Sequence, residues 1–204
     1  MTGVQSTGAA SVAHTYNLAD QWEAIADRVG EREALVAGER RLTYAQLETR
    51  ANRLANHLSS VGIGPGDFVG CYLTNGTEYL ETMLAAFKLR AVPININYRY
   101  VADELRYLFA DAGLSAVVCD QQFAANVAEV VPQVPSVRQV LVVADDSGDP
   151  APELAAGSLP GGTDYESALA AASADRPVVE GRSDDDLYVI YTGGTTGMPK
   201  GVVW

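Results

Sequence analysis

Phe68-Val69-Gly70-Cys71-Tyr72-Leu73 is an unbroken run of apolar or small residues. Asn75-Gly76 follows it, then Thr77–Leu89, and then a second apolar run, Val92–Ile96. The order reads as a strand, a turn, a helix of three turns capped by Thr77, and a second strand. That is one βαβ unit, whose two strands lie parallel. Neither run alternates apolar with polar residues, so each strand is expected to be covered on both faces. The pattern repeats downstream. Asp103–Ala112 and Phe123–Val131 read as helices, with strands at Ala116–Cys119 and Val137–Val143. The whole predicts an α/β fold with a largely parallel sheet flanked by helices.

Upstream, Asn17 is a good helix cap. Leu18, Trp22, Ile25, Ala26 and Val29 recur at spacings of three and four, which predicts a helix burying that face. Glu33–Ala37 and Arg41–Leu42 flank a turn at Gly38–Arg40. Thr43 and Gln46 fit a capping box, in which hydroxyl and amide each satisfy an orphan backbone N–H. The helix they open, Tyr44–Val61, has Leu47, Ala51, Leu54, Ala55, Leu58 and Val61 as its buried stripe, and Gly62-Ile63-Gly64-Pro65-Gly66-Asp67 breaks it.

Residues 1–16, rich in Ser, Thr, Gly and Ala, are expected to form a flexible tail, and residues 17–204 one unit interrupted by an exposed loop at about 144–163. Asp164–Ala172 can form a short helix. Ser183–Asp186 is expected to be a solvated acidic lead-in to a last strand, Leu187–Tyr191.

Composition narrows the function. Fourteen Lys+Arg against 26 Asp+Glu give a formal net charge of −12. Nucleic acid and anionic membranes reward clustered cations, so neither is expected as a partner. No stretch approaches the roughly 18 apolar residues of a membrane span. The first 16 residues lack the basic and apolar parts of a secretory signal. Two distant cysteines, Cys71 and Cys119, exclude a disulfide scaffold and suit a reducing compartment. The expected location is therefore cytoplasmic. His14 and His57 have no partner cluster and carry no catalytic expectation. Trp22, Tyr44 and Phe87 read as core, and Arg99 as one half of a structural ion pair.

The chemistry is concentrated in Tyr191-Thr192-Gly193-Gly194-Thr195-Thr196-Gly197-Met198-Pro199-Lys200-Gly201. Glycines let several backbone N–H groups converge on one anion, threonine hydroxyls add donors, and Lys200 adds a mobile positive charge. The stretch is neither a Walker A loop nor a dinucleotide fingerprint, because the spacing of glycines and lysine differs from both.

This segment resembles the phosphate-binding signature of the AMP-forming adenylating enzymes. Two further stretches agree and occur in family order. Leu42-Thr43-Tyr44-Ala45-Gln46-Leu47 is similar to the early L-T-Y-x-E-L element, with Gln46 at the usual Glu. Phe87–Asn95 is similar to K-x-G-A-x-x-x-P-x-N, with Arg90 at the usual glycine. Gly193 stands where many relatives have Ser. Val92–Tyr100 and the Gly193-Gly194 pair look most like the fatty-acid–CoA ligases, some of whose relatives act on sterol side-chain carboxylates.

The resemblance implies a reaction in two steps: a carboxylate and ATP give an acyl-adenylate and pyrophosphate, then the thiol of CoA displaces AMP. The expected cofactors are ATP, Mg²⁺ and CoA, and the expected substrate is a fatty-acid or other lipid carboxylate. Thr192, Gly193, Gly194, Thr195, Thr196, Gly197 and Lys200 are the implied phosphate-binding residues, with no catalytic or metal-ligating residue assigned. In that family the loop lies less than halfway along the chain. The 204 residues are thus expected to be the N-terminal part of the adenylation domain, inactive alone, with an exposed sheet edge at Leu187–Tyr191 that favours self-association into a homo-oligomer. The alternatives are a fatty acyl-AMP ligase serving a carrier protein, and a non-enzymatic nucleotide- or partner-binding remnant.

Overall fold

The computed structural model describes residues 16–144, 159–194 and 197–204. The expected tail, Tyr16 apart, and most of the expected loop at 144–163 lie outside them. The elements are α1 (Leu18–Val29), β1 (Glu33–Ala37), β2 (Arg40–Thr43), α2 (Tyr44–Ser60), β3 (Phe68–Tyr72), α3 (Thr77–Lys88), β4 (Val92–Asn95), α4 (Ala102–Ala112), β5 (Leu114–Asp120), α5 (Ala124–Val130), β6 (Gln139–Val143), β7 (Gly162–Asp164), α6 (Tyr165–Ala171), β8 (Val189–Gly194) and β9 (Gly197–Val203). Single 3₁₀ turns flank α5.

Seven strands form one sheet in the order β7-β6-β5-β3-β4-β8-β9. Every neighbouring pair is parallel except β8 with β9. The α/β expectation holds, and β3 and β5 flank the point where the strand order reverses. A separate antiparallel hairpin joins β1 to β2. Helices cover both faces of the sheet. On one, Leu105, Leu108 and Phe109 of α4 and Val127 of α5 pack on Ile94, Val117 and Val140. On the other, Leu54 and Leu58 of α2, Ala85 of α3 and Leu169 of α6 pack on Val69, Val118 and Leu141. Both faces are buried, which accounts for the continuous apolar runs of the strands. Cys71 and Cys119 are free and sit in these two layers, one on each side. Burial pushes the Cys71 thiol up to about 12 and raises Cys119 as well.

The capping box forms. The Gln46 N–H donates to Thr43 Oγ1 at 3.2 Å, and the Thr43 N–H to Gln46 Oε1 at 2.8 Å. Asn17 caps α1 through the Ala19 N–H at 2.9 Å. Of the expected stripe on α2, Leu47, Ala51, Leu54, Ala55 and Leu58 are buried, whereas Val61 is half-buried and forms the C-cap.

Several expectations are corrected. Leu18 and Ile25 are 49% and 47% exposed, and Ala19 and Ala26 are the buried residues of α1. The buried face of α1 is thus narrower than its sequence stripe, because the helix lies on α2 and α3 at the rim of the molecule. Thr77 is the first residue of α3, and Gly76 occupies the cap. Residues 162 and 163, assigned to the loop, pair in β7 alongside β6. The last parallel strand starts at Val189, leaving Leu187 outside it and 45% exposed. It is not the sheet edge, because β9 pairs along it and takes that place. The guanidinium of Arg99 lies over the Tyr98 ring, 5.5 Å from its centroid, and among the described residues it forms no ion pair of the kind expected.

Between α6 and β8 the chain crosses α1, α2 and α3 without regular structure, held by side chains. Asn52 and Asn56 donate to the carbonyls of Ala174, Ser173 and Asp175. Arg176 pairs with Asp27 and Glu48, and Arg182 with Asp20 and Glu23. Lys88, fully buried, lies 2.7 Å from Glu23 and 2.9 Å from Glu48. Asp186 is no solvated lead-in: it takes Arg90 Nε at 2.9 Å and Asn17 Nδ2 at 2.7 Å.

Candidate functional site

The glycine-rich segment forms the β8–β9 hairpin, where the sequence suggests an irregular loop. β8 joins the sheet through pairs Ile94↔Val189 and Asn95↔Ile190, and β9 returns along its other side. The antiparallel pairs Tyr191↔Gly201, Thr192↔Lys200 and Gly194↔Gly197 draw the segment together, with a register shift between Thr192 and Gly194. Of the expected site residues, Thr192, Gly193 and Gly194 lie in β8, and Gly197 and Lys200 in β9. Thr195 and Thr196 lie outside the described residues.

Residues directly opposite in an antiparallel pair project from the same face. Thr192 and Lys200 are such a pair, and both are exposed. Tyr191 and Pro199 face the other way and are buried. The hairpin therefore presents one hydroxyl and one ammonium group together. The sequence contains two lysines. Lys88 is buried between carboxylates, whereas Lys200 forms no ion pair among the described residues. An exposed ammonium beside a hydroxyl and glycine backbone can take phosphate oxygens.

Residues outside the expected set fix the base of the hairpin. The Tyr191 N–H donates to Asn95 Oδ1 at 2.9 Å, and Asn95 Nδ2 donates to the Tyr191 carbonyl at 3.3 Å. The Tyr191 hydroxyl donates to Asp111 Oδ2 at 2.8 Å. Burial and the neighbouring Asp111 carboxylate both raise the phenol, so it stays protonated as a donor. Gly201 lies against the ring: a Cβ there would sit 3.1 Å from Tyr191 Cε2. A carboxamide at the end of an apolar strand was the available signal for Asn95. Nothing in sequence spacing joins Asp111 to Tyr191.

A cleft of about 710 Å³ opens elsewhere, at the carboxyl ends of β3, β5 and β6, lined by Arg40, Thr74, Glu78 and Asp120 among others. Arg40 is paired with Glu78 there, and the Asp120 carboxylate accepts from the Thr74 N–H and hydroxyl. Among the described residues its lining carries more negative than positive charge, which does not suit phosphate, and includes none of the expected site residues. Among the described residues no three His, Cys, Asp or Glu side chains cluster as metal ligands, and no helix is long and apolar enough to cross a membrane.

Comparison with known proteins bears on the family and the fold. A 3-oxocholest-4-en-26-oate–CoA ligase of Rhodococcus rhodochrous is 48% identical over 188 residues, 92% of this chain and 33% of that protein. A medium/long-chain-fatty-acid–CoA/3-oxocholest-4-en-26-oate–CoA ligase of Mycobacterium marinum is 45% identical over 196 residues, covering 95% and 34%. The crystal structure of a long-chain-fatty-acid-CoA ligase from Archaeoglobus fulgidus superposes with a TM-score of 0.75 at 26% identity, covering 93% of this chain and 37% of that one. The chain thus spans about a third of the length of the curated relatives it matches. The sequence profile of the AMP-binding enzymes matches residues 22–204, hairpin included, and the chain belongs to that family.

Proposed function

We propose that this chain is the phosphate-gripping region of an AMP-forming ligase that joins a fatty-acid or steroid-acid carboxylate to CoA. One observation supports this above the rest: Thr192 and Lys200 face each other on the exposed side of a glycine-rich hairpin. The names of the relatives supply the substrate class. On this reading, residues 192–197 wrap the β- and γ-phosphates of ATP with backbone N–H groups and threonine hydroxyls. Lys200 offsets the charge that accumulates as pyrophosphate departs. Mg²⁺ would arrive with the nucleotide, held largely by phosphate oxygens and water. ATP supplies the activating group for the carboxylate, and the chain's own part is to orient the phosphates and screen their charge. CoA as acceptor is favoured over a carrier protein by the relatives' names. The ligase reading is preferred to that of a non-enzymatic binding remnant because the relatives are named as ligases.

The test uses the polypeptide continued to the relatives' full length. It should exchange labelled pyrophosphate into ATP when given a fatty-acid or steroid carboxylate, and consume CoA thiol. Lys200→Ala should slow exchange by about 10²-fold with little change in melting temperature. Exchange at the unsubstituted rate would remove Lys200 from the role.

A further inference from the structure

The hairpin that carries Thr192 and Lys200 is tied to the parallel sheet over a short length. The backbone pairs of β4 with β8 are Ile94↔Val189 and Asn95↔Ile190. At the next residue the β4 backbone bonds toward β3, with the Ile96 N–H donating to the Cys71 carbonyl at 3.0 Å. The Asn95 side chain then takes over. Its carboxamide presents an acceptor to the Tyr191 N–H and a donor to the Tyr191 carbonyl, the two groups that a neighbouring strand would otherwise supply. Tyr191 is also gripped at its far end by Asp111, at the foot of α4, and its ring is overlaid by Gly201 of the returning strand. One residue before Thr192, backbone, ring and hydroxyl are thus each held by a different element.

We infer that Asn95 and Tyr191 are positioning residues, which set where the Thr192–Lys200 pair meets the phosphates. This deepens the functional reading above and rests on it. The carboxamide of Asn95 acts as a surrogate stretch of strand, and the Asp111 contact stops the hairpin from pivoting about that short attachment. A displaced hairpin weakens the hold on ATP and leaves the carboxylate substrate untouched, so the effect falls on one substrate only.

Asn95→Asp is the informative variant. The ionised carboxylate still accepts the Tyr191 N–H but faces the Tyr191 carbonyl with no donor. Once protonated, it both accepts and donates, as the carboxamide does. In the polypeptide continued to the relatives' length, Asn95→Asp should raise KM for ATP about tenfold at about pH 8, and leave KM for the carboxylate unchanged. The penalty should shrink as pH is lowered toward about 5, through the upper carboxyl range. Tyr191→Phe, which loses only the Asp111 bond, should raise KM for ATP severalfold at every pH. A purely structural role would lower the amount of folded enzyme and shift neither KM. If the unsubstituted polypeptide exchanges no pyrophosphate, the functional reading falls, and this inference with it. If it exchanges normally and both variants keep its KM for ATP across that pH range, the inference alone is overturned.

Discussion

Arg90 is the one non-glycine residue with positive φ, 57°, among the described residues. It stands where the family elements carry glycine, and the backbone explains that preference: the left-handed region costs an L-residue about 1 kcal/mol more than glycine. Arg90 recovers some of that through Asp186, at an ion pair that is partly exposed. The two substitutions therefore separate. Arg90→Ala keeps the strain and loses the pair, whereas Arg90→Gly loses the pair and the strain together. In urea denaturation, Arg90→Ala should be less stable than Arg90→Gly by about 1 kcal/mol. Equal midpoints would mean that the φ value carries no cost. His57 makes a pH-dependent case. It is half-buried on α2, and its Nε2 has no hydrogen-bond partner among the described residues. Burial lowers its pKa below the ordinary 6.5. The unfolded chain then binds a proton at higher pH than the folded chain does, so stability declines as pH falls through about 6.5 toward the folded value. His57→Gln should flatten the slope of unfolding free energy between about pH 7 and about pH 5.5, measured by urea titration at each pH.

Among the elements, the connection from α6 to β8 depends on charge. Lys88 lies inside it with Glu23 and Glu48, and Glu48 is shared with Arg176. Burial alone would raise the Glu48 carboxyl, but the neighbouring Lys88 and Arg176 outweigh it and hold the group below its ordinary range. Lys88→Met leaves two carboxylates near one another with less compensation, and should cost about 3–5 kcal/mol in chemical denaturation. A loss under about 1 kcal/mol would show the network to be dispensable. These elements also mark how far the sequence could be read. β3 to β6 were legible because strands covered on both faces must be continuously apolar. The capping box was legible because Thr43 and Gln46 act locally. β7 was not, since Gly162-Thr163-Asp164 has no apolar residue and is a strand only because β6 supplies its partner. β9 was hidden for a related reason: glycine and Pro199 disfavour strand, and it is a strand only because β8 pairs with it. The candidate loop could be located and its residue types read, but glycine and proline hid its hairpin form, and its supports, Asn95 and Asp111, depend on contacts across 80 to 96 residues.

At the scale of the whole molecule, β9 ends the sheet with Val202, Val203 and Trp204 exposed at 42%, 60% and 73%. An uncovered strand with apolar side chains pairs readily with another chain, while a net charge of −12 opposes the approach. The 204-residue chain should therefore associate with rising concentration, and more strongly when about 1 M salt screens its charge. Val203→Lys should lower that tendency. Sedimentation velocity is the measurement, and a single monomer species at high protein and salt concentration would refute the expectation. The two cysteines have a practical consequence of another kind. Both thiols are shut between the layers and held in the unreactive protonated form, so the native exterior offers a maleimide dye no native sulfur to attack. A cysteine introduced by Thr192→Cys would be the sole attachment point, and a fluorophore there would report the hairpin's own movements without a cysteine-free background having to be engineered first.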